Sequence, residues 1–278
     1  MIIPPLYLSP LIALCLAIIN SSAQPSQQQT DMLKQAQQKI LNYVHIHKSQ
    51  FRVEDLVLLD YLYRRFNLDH EFSFKHSFTR IPSRQDIQSL EVYGRLVNYT
   101  SIPWKKPIKA EPFIWMEIQA LFIEKQDGCP SKQKILSILK KQLYEGGYST
   151  THTALALGWF IEQGCLSETD PEVIQFKQEI THQLLNISQT ITYPTDLKTE
   201  ALAFICYLGE KNNVDANNFI QLLTYQRDDG AFSGTKNPND GINVHTTLLM
   251  LWLTYEFLNK QTNYSEPMII PLKKKPAN

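Results

Sequence analysis

Three apolar segments recur at nearly equal spacing, and that spacing constrains the fold more than any other feature of the chain. HTALALGWF begins at His152, TEALAFICY at Thr199 and HTTLLMLWL at His245, so the starting positions lie 47 and then 46 residues apart. Each follows a glutamine that ends a more polar helical stretch: Gln142, Gln189 and Gln226. The first and third share the form Q-x-x-x-G-x-aromatic, in QLYEGGY and QRDDGAF. The interval from glutamine to apolar segment is 10 residues in the first two copies and 19 in the third. The third copy therefore carries extra loop residues, SGTKNPNDG. A period of this length with two helices per unit predicts stacked helical hairpins. A helix that is apolar nearly all round has to be covered all round, which assigns these three segments to an inner layer. Such hairpins either open into a superhelix or close into a ring around an apolar cavity, bordered by one end of every inner helix.

The rest of the chain fits the same class. Amphipathic periodicity predicts helices from Asp31 to His47, Val53 to Phe66, near Gln85 to Val97 and from Phe113 to Glu124. The stretch from Asn67 to Lys109 reads as a long irregular connection around one helix. No alternating strand pattern stands out, so the fold class is all-α. Residues 1–23 read as a secretory signal, with an apolar run from Leu6 to Ile19 ending in Ser21-Ser22-Ala23. An uncleaved N-terminal anchor is the alternative, although Pro4, Pro5 and Pro10 disfavour a spanning helix. Residues 24–30 read as a disordered polar spacer, 31–260 as the helical domain and 261–278 as a tail. After signal cleavage no stable membrane span is expected, and the mature chain is expected to be secreted or periplasmic.

Charge excludes one class of partner. The chain has 27 basic and 27 acidic side chains, and a nucleic-acid binder needs a basic face to neutralise phosphates. Export leaves three cysteines, Cys129, Cys165 and Cys206. An odd number leaves one thiol unpaired unless chains pair with each other. Cys206 lies inside an apolar run and reads as buried. Cys129 and Cys165 end the similar stretches FIEKQDGC and FIEQGC; if these are equivalent helix ends, the two sulfurs lie on one side and could be bridged.

The glutamine–glycine–aromatic turns, with QRDDGAFSG and NDGINVHTTLLMLWLTYEFL, resemble the QW repeats of the α/α toroid superfamily of terpenoid cyclases and protein prenyltransferases. The resemblance covers roughly residues 130–260 and implies an α/α toroid, or part of one, of about five hairpins. It implies no reaction, because that fold carries several. The D-x-D-D, D-D-x-x-D and G-C-G-E-Q motifs of its members are absent. His245 resembles a zinc-binding histidine of prenyltransferase β subunits, but no Asp-x-Cys pair accompanies it.

His152 and His245 occupy the same repeat position, about two residues after the cap candidates Thr150 and Asn243. Three readings stay open. Both are polar first-turn residues at a rim; or they orient a ligand in a central cavity; or they form a site with carboxylates. For the last, His152, His245 and Glu200 are the acid–base candidates. His152, Asp196, Asp240 and His245 are the candidate ligands for zinc or another divalent metal. The histidines are on second-neighbour helices, roughly 15 Å or more apart if inner axes lie about 10 Å apart. Tyr148, Trp159, Phe232 and Trp252 are the candidate aromatic lining. Glu54, Asp60, Glu111 and Glu117 lie on or beside inner helices, where paired carboxylates would suit sugar chemistry. The leading expectation is an apolar or amphiphilic small molecule, or a peptide segment, in the cavity, with Ser233 to Ile242 as a flap. The alternatives are a metal-dependent or acid–base hydrolase or lyase, and a protein-interaction scaffold.

Overall fold

The computed structural model describes residues 25–123, 128–259 and 266–270, and among them there are helices and no strand. The expected signal segment lies outside the described residues. In chain order the α-helices are α1 (Gln27–His47), α2 (Val53–Phe66), α3 (Phe74–Ser77), α4 (Arg84–Tyr93), α5 (Trp115–Leu121) and α6 (Lys132–Leu143). They continue as α7 (Tyr148–Glu162), α8 (Pro171–Thr190), α9 (Asp196–Tyr207), α10 (Ala216–Leu222) and α11 (Val244–Leu258). Short 3-10 turns flank several of them, including Gly94–Val97 after α4 and Pro112–Ile114 before α5.

The three repeat segments are α7, α9 and α11, and they pack side by side in that order. The row continues at one side from α7 to α5, and at the other from α11 to α2 and then to α4. Covering helices lie against these: α6 on α7, α8 on α9, and α1 on α11. The last pairing departs from a simple hairpin series. The chain-adjacent α10 is short and packs against α1, while α1, from the opposite end of the domain, takes the long contact with α11. The first and last of the described helices thus meet in one seam. Gly230, with φ +94°, seals it, since a Cβ there would stand 2.2 Å from the Lys39 carbonyl oxygen.

The repeated glutamine has a physical role in two of its three copies. Gln142, at the end of α6, donates to the Phe113 carbonyl at 2.5 Å, and Gln226 donates to the carbonyls of Ala36 and Gly230 at 3.0 Å. Each ties the chain just before its glycine turn to a backbone carbonyl distant in sequence, in the turn before α5 for Gln142 and in α1 for Gln226. Gln189 is exposed and makes no such bond, in keeping with its lack of the Gly-aromatic turn. In the first copy the turn needs Gly146 and Gly147, both with positive φ. Gly147 is the N-cap of α7, so Thr150 is not a cap; it lies inside the helix, donating to the Leu143 carbonyl.

Two boundary expectations change. The polar stretch read as a spacer becomes the first turn of α1 from Gln27, because Ser26 and Gln29 form a reciprocal capping box. The tail is not wholly free of the domain. Met268 and Ile269 are buried, Arg64 donates to the carbonyls of Pro267 and Met268, and Glu162 accepts from the amides of Met268 and Ile269. Cys129 and Cys165 form a disulfide that ties the segment before α6 to the end of α7, and Cys206 is a buried free thiol. No helix among the described residues is long and apolar enough to cross a membrane.

Candidate functional site

Four inner helices present the same sequence of side chains to one shared space. On α2 these are Glu54, Val57, Leu58 and Tyr61; on α7, His152, Leu155 and Trp159; on α9, Asp196, Glu200 and Phe204; on α11, His245, Leu249 and Trp252. The steps of three and four residues keep each set on one helix face. On each helix the ionisable residues (Glu54; His152; Asp196 and Glu200; His245) lie toward the N-terminal end and the lining residues that follow are apolar or aromatic. Together with Arg52, Tyr93, Leu96, Glu117, Asn243 and Met268 they enclose a cavity of about 340 Å³. The polar first-turn residues of neighbouring helices touch one another, so the helix N-termini gather at one end, the mouth. Met268, brought in by the C-terminal segment and contacted through sulfur by the Trp159 indole N–H at 3.3 Å, belongs to the opposite end.

At the mouth His245 is held by two carboxylates. Its Nε2 lies 3.2 Å from Glu200 Oε1, and its Nδ1 lies 3.7 Å from Asp55 Oδ1, an ion pair longer than a hydrogen bond. Burial works against the charge on this imidazole, but Asp55 and Glu200 outweigh it and push its pKa up to about 10. The reciprocal effect, reinforced by Arg52 on Asp55 and by His152 and Thr151 on Glu200, overcomes burial and holds both carboxyls below the usual range. Glu200 also accepts the Thr151 hydroxyl at 2.8 Å, so it joins α7, α9 and α11 at one point.

His152 faces a different partner. Its Nδ1 lies 2.5 Å from Glu117 Oε1, a carboxylate of α5 that is only 3% exposed. Burial pushes Glu117 above the usual carboxylate range, and His152 only partly offsets this. Burial lowers His152 and Glu117 raises it, with Glu117 prevailing. The second ring nitrogen, Nε2, has no hydrogen-bond partner among the described residues, and His152 is one of the residues lining the cavity. Asp196, at the first position of α9, accepts from Tyr148 Oη at 3.2 Å and Thr246 Oγ1 at 3.4 Å. Burial raises its pKa and Glu200 adds to the rise, against the opposing effect of His245.

The structure brings together most of the sequence-derived candidates and places Phe232, Asp240, Asp60 and the exposed Glu111 away from the cavity. His152, His245, Glu200, Asp196, Trp159 and Trp252 all line the cavity. Tyr148 stands at the rim, 40% exposed, and reaches the site through Asp196. Phe232 is fully buried in the core, where its amide donates to Thr247 Oγ1 and its carbonyl accepts from Asn243. Asp240 is exposed and turns back into its own loop, accepting from Thr235 Oγ1 at 2.6 Å and Asn237 Nδ2 at 3.0 Å. That loop is bound to itself and to Arg227, and no residue from 233 to 242 lines the cavity. Asp60 pairs with Arg64 away from the cavity. The carboxyl group missing from the first expectation is Asp55, which no motif marks.

One ligand atom each from Asp196, Glu200 and His245 fall within 4.8 Å of one another, spacing that a divalent ion could span. The donor set fits an ion poorly, because the carboxylates beside His245 favour its protonated form, and a metal would have to displace a proton from the imidazole. No family model, no curated protein and no solved structure matches the chain.

Proposed function

We propose that the inner helices close into an α/α toroid and that the protein binds an amphiphilic small molecule in its central cavity. One observation carries this reading: four helices repeat the same order from ionisable mouth to aromatic interior, in the same helical register. A binding site for a small organic molecule has this character, a mostly apolar concavity with a few placed polar groups. Tyr93 of α4 and Glu117 of α5, from the two ends of the inner row, line the same cavity, which supports ring closure. The volume suits a small molecule rather than a threaded peptide, and the peptide that does enter is the chain's own Met268. The disulfide supports export to an oxidising compartment.

Native mass spectrometry of the full chain tests the reading. A co-purifying small molecule, lost in the cavity-filling variant Leu155→Trp, is the expected result. Both proteins at the masses their own sequences require, with no adduct under gentle ionisation and none after incubation with aliphatic alcohols, would sink it.

A second reading rests on the His152–Glu117 pair. A carboxylate on Nδ1 orients an imidazole whose Nε2 faces bound ligand, the arrangement of a general acid or base. A hydrolase or lyase of this kind predicts that His152→Asn still binds the recovered molecule but no longer converts it; conversion at the wild-type rate would dismiss this reading. A metal-centred alternative requires an ion to displace the His245 proton. Metal analysis of the purified protein, with His245→Ala as control, decides it.

A further inference from the structure

The mouth has more acids than bases, and the pairing shows which acids are left over. Three basic side chains line it, and each already has a carboxylate: Arg52 with Asp55 at 3.2 Å, His152 with Glu117 at 2.5 Å and His245 with Glu200 at 3.2 Å. Glu54 and Asp196 also line the cavity and have no Lys, Arg or His within ion-pair distance among the described residues. Among the described residues the side chains that hydrogen-bond to them are hydroxyls, Ser89 for Glu54 and Tyr148 and Thr246 for Asp196, while Arg52 and His245 act on them from beyond ion-pair distance. The imbalance is felt by neighbours. Burial pushes the Tyr148 and Tyr93 hydroxyls well above their usual range, and carboxylates reinforce it, Asp196 and Glu200 on Tyr148, Glu117 and Glu54 on Tyr93.

Helix N-termini ordinarily favour anions. Here the first turns of α2, α5 and α9 already carry Glu54 and Asp55, Glu117, and Asp196. An incoming carboxylate or phosphate would enter a site with two unpaired like charges. An ammonium group would complete it, donating to Asp196 while its hydrocarbon lies among Leu155, Phe204, Leu249 and Trp252.

Resting on the cavity-binding reading above, we infer that the ligand carries a positive charge at its polar end: an amphiphilic amine, seated with its ammonium against Asp196 at the mouth and its apolar body toward Trp252.

Three probes of equal chain length separate the possibilities: n-octylammonium, 1-octanol and octanoate, titrated into the full chain and followed by tryptophan fluorescence. The expected result is octylammonium at least tenfold tighter than octanol, with octanoate weakest. Asp196→Asn should remove most of the preference for the ammonium, read as the ratio of octylammonium to octanol affinity in the variant against the wild type. Glu54→Gln gives a second reading at a position with a different hydroxyl partner, and should weaken the preference by a smaller factor. Octanol binding as well as octylammonium, or octanoate binding best, would overturn the charge assignment while leaving the cavity reading intact. A preference for ammonium untouched by both variants would also overturn it. If none of the three binds, the cavity reading itself fails and this inference with it.

Discussion

The two ends of the inner helices both hold buried ions, and they treat them differently. At the end away from the mouth, each charge is met by groups the chain itself supplies. Arg65 donates to Glu256 through Nε at 2.9 Å and Nη2 at 2.7 Å, and Trp252 donates to the same oxygen at 3.0 Å. Glu162 accepts from Tyr207 and from two backbone amides of the C-terminal segment. Arg64 bridges Asp60 and two carbonyls of that segment. At the mouth, carboxylates exceed bases and one imidazole keeps a free edge. Pairing within the chain is complete for these floor groups and incomplete at the mouth, which is the difference the proposed ligand site rests on.

The contrast can be broken most forcefully at the floor. Glu256→Ala leaves Arg65 charged and buried and strips the Trp252 indole of its acceptor. A loss of about 3–5 kcal/mol in denaturant unfolding is expected. Replacing both partners together, Arg65→Met with Glu256→Leu, should recover much of it; equal losses for single and double variants would mean that the pair is not the unit of stability. Reducing the Cys129–Cys165 disulfide, which secures the same end of α7, should cost about 2–4 kcal/mol, read as a drop in melting temperature.

At the mouth the expected signature is a dependence on pH. His245 has a pKa raised from its ordinary 6.5 to about 10. Its charge therefore stabilises the fold in full below about 6.5, and that contribution is lost as pH rises through about 10. Asp55 and Glu200 are shifted the other way, so their contribution is present above the usual carboxylate range and is lost as pH falls below it. Unfolding free energy measured from neutral to alkaline pH should decline, and His245→Gln should flatten that decline. A wild-type profile as flat as the variant's would contradict the ion-pair geometry.

The smallest effect is expected at Asp196. Its ionised form is already disfavoured by burial, and its partners are hydroxyls that an amide can also meet. Asp196→Asn should change stability by no more than about 1 kcal/mol. Glu162→Gln, at the floor, should cost more, because one amide hydrogen would face backbone N–H donors. Equal costs at the two positions would erase the distinction between the ends.

Much of the fold was legible because repetition is a global signal. The spacing of His152, Thr199 and His245 picked out α7, α9 and α11 as neighbours of one kind, and α2 was apolar enough to join them. The similar endings of FIEKQDGC and FIEQGC pointed to the disulfide. The site was legible where a side chain shares the inner-helix register, as His152, Glu200, Trp159 and Trp252 do. It was not legible where long-range pairing decides. Glu117 stood out only as one of several carboxylates near inner helices, because α5 is short and follows an irregular segment. Asp55 lies one residue beyond Glu54 and was hidden by it. Phe232 and Asp240 belong to the turn motif, and local bonds to Thr247, Thr235 and Asn237 settle them away from the cavity. The docking of Met268 depends on Glu162 and Arg64, more than a hundred residues distant in sequence from it.

The central claim is that one cavity, open at the ionisable end and floored at the other, receives a ligand. Isothermal titration calorimetry of 1-octanol against the full chain and against Leu155→Trp tests it most directly. The account predicts a single site with a negative heat-capacity change in the wild type, weakened at least tenfold in a variant that keeps its melting temperature. Indistinguishable titrations of the two proteins would contradict it.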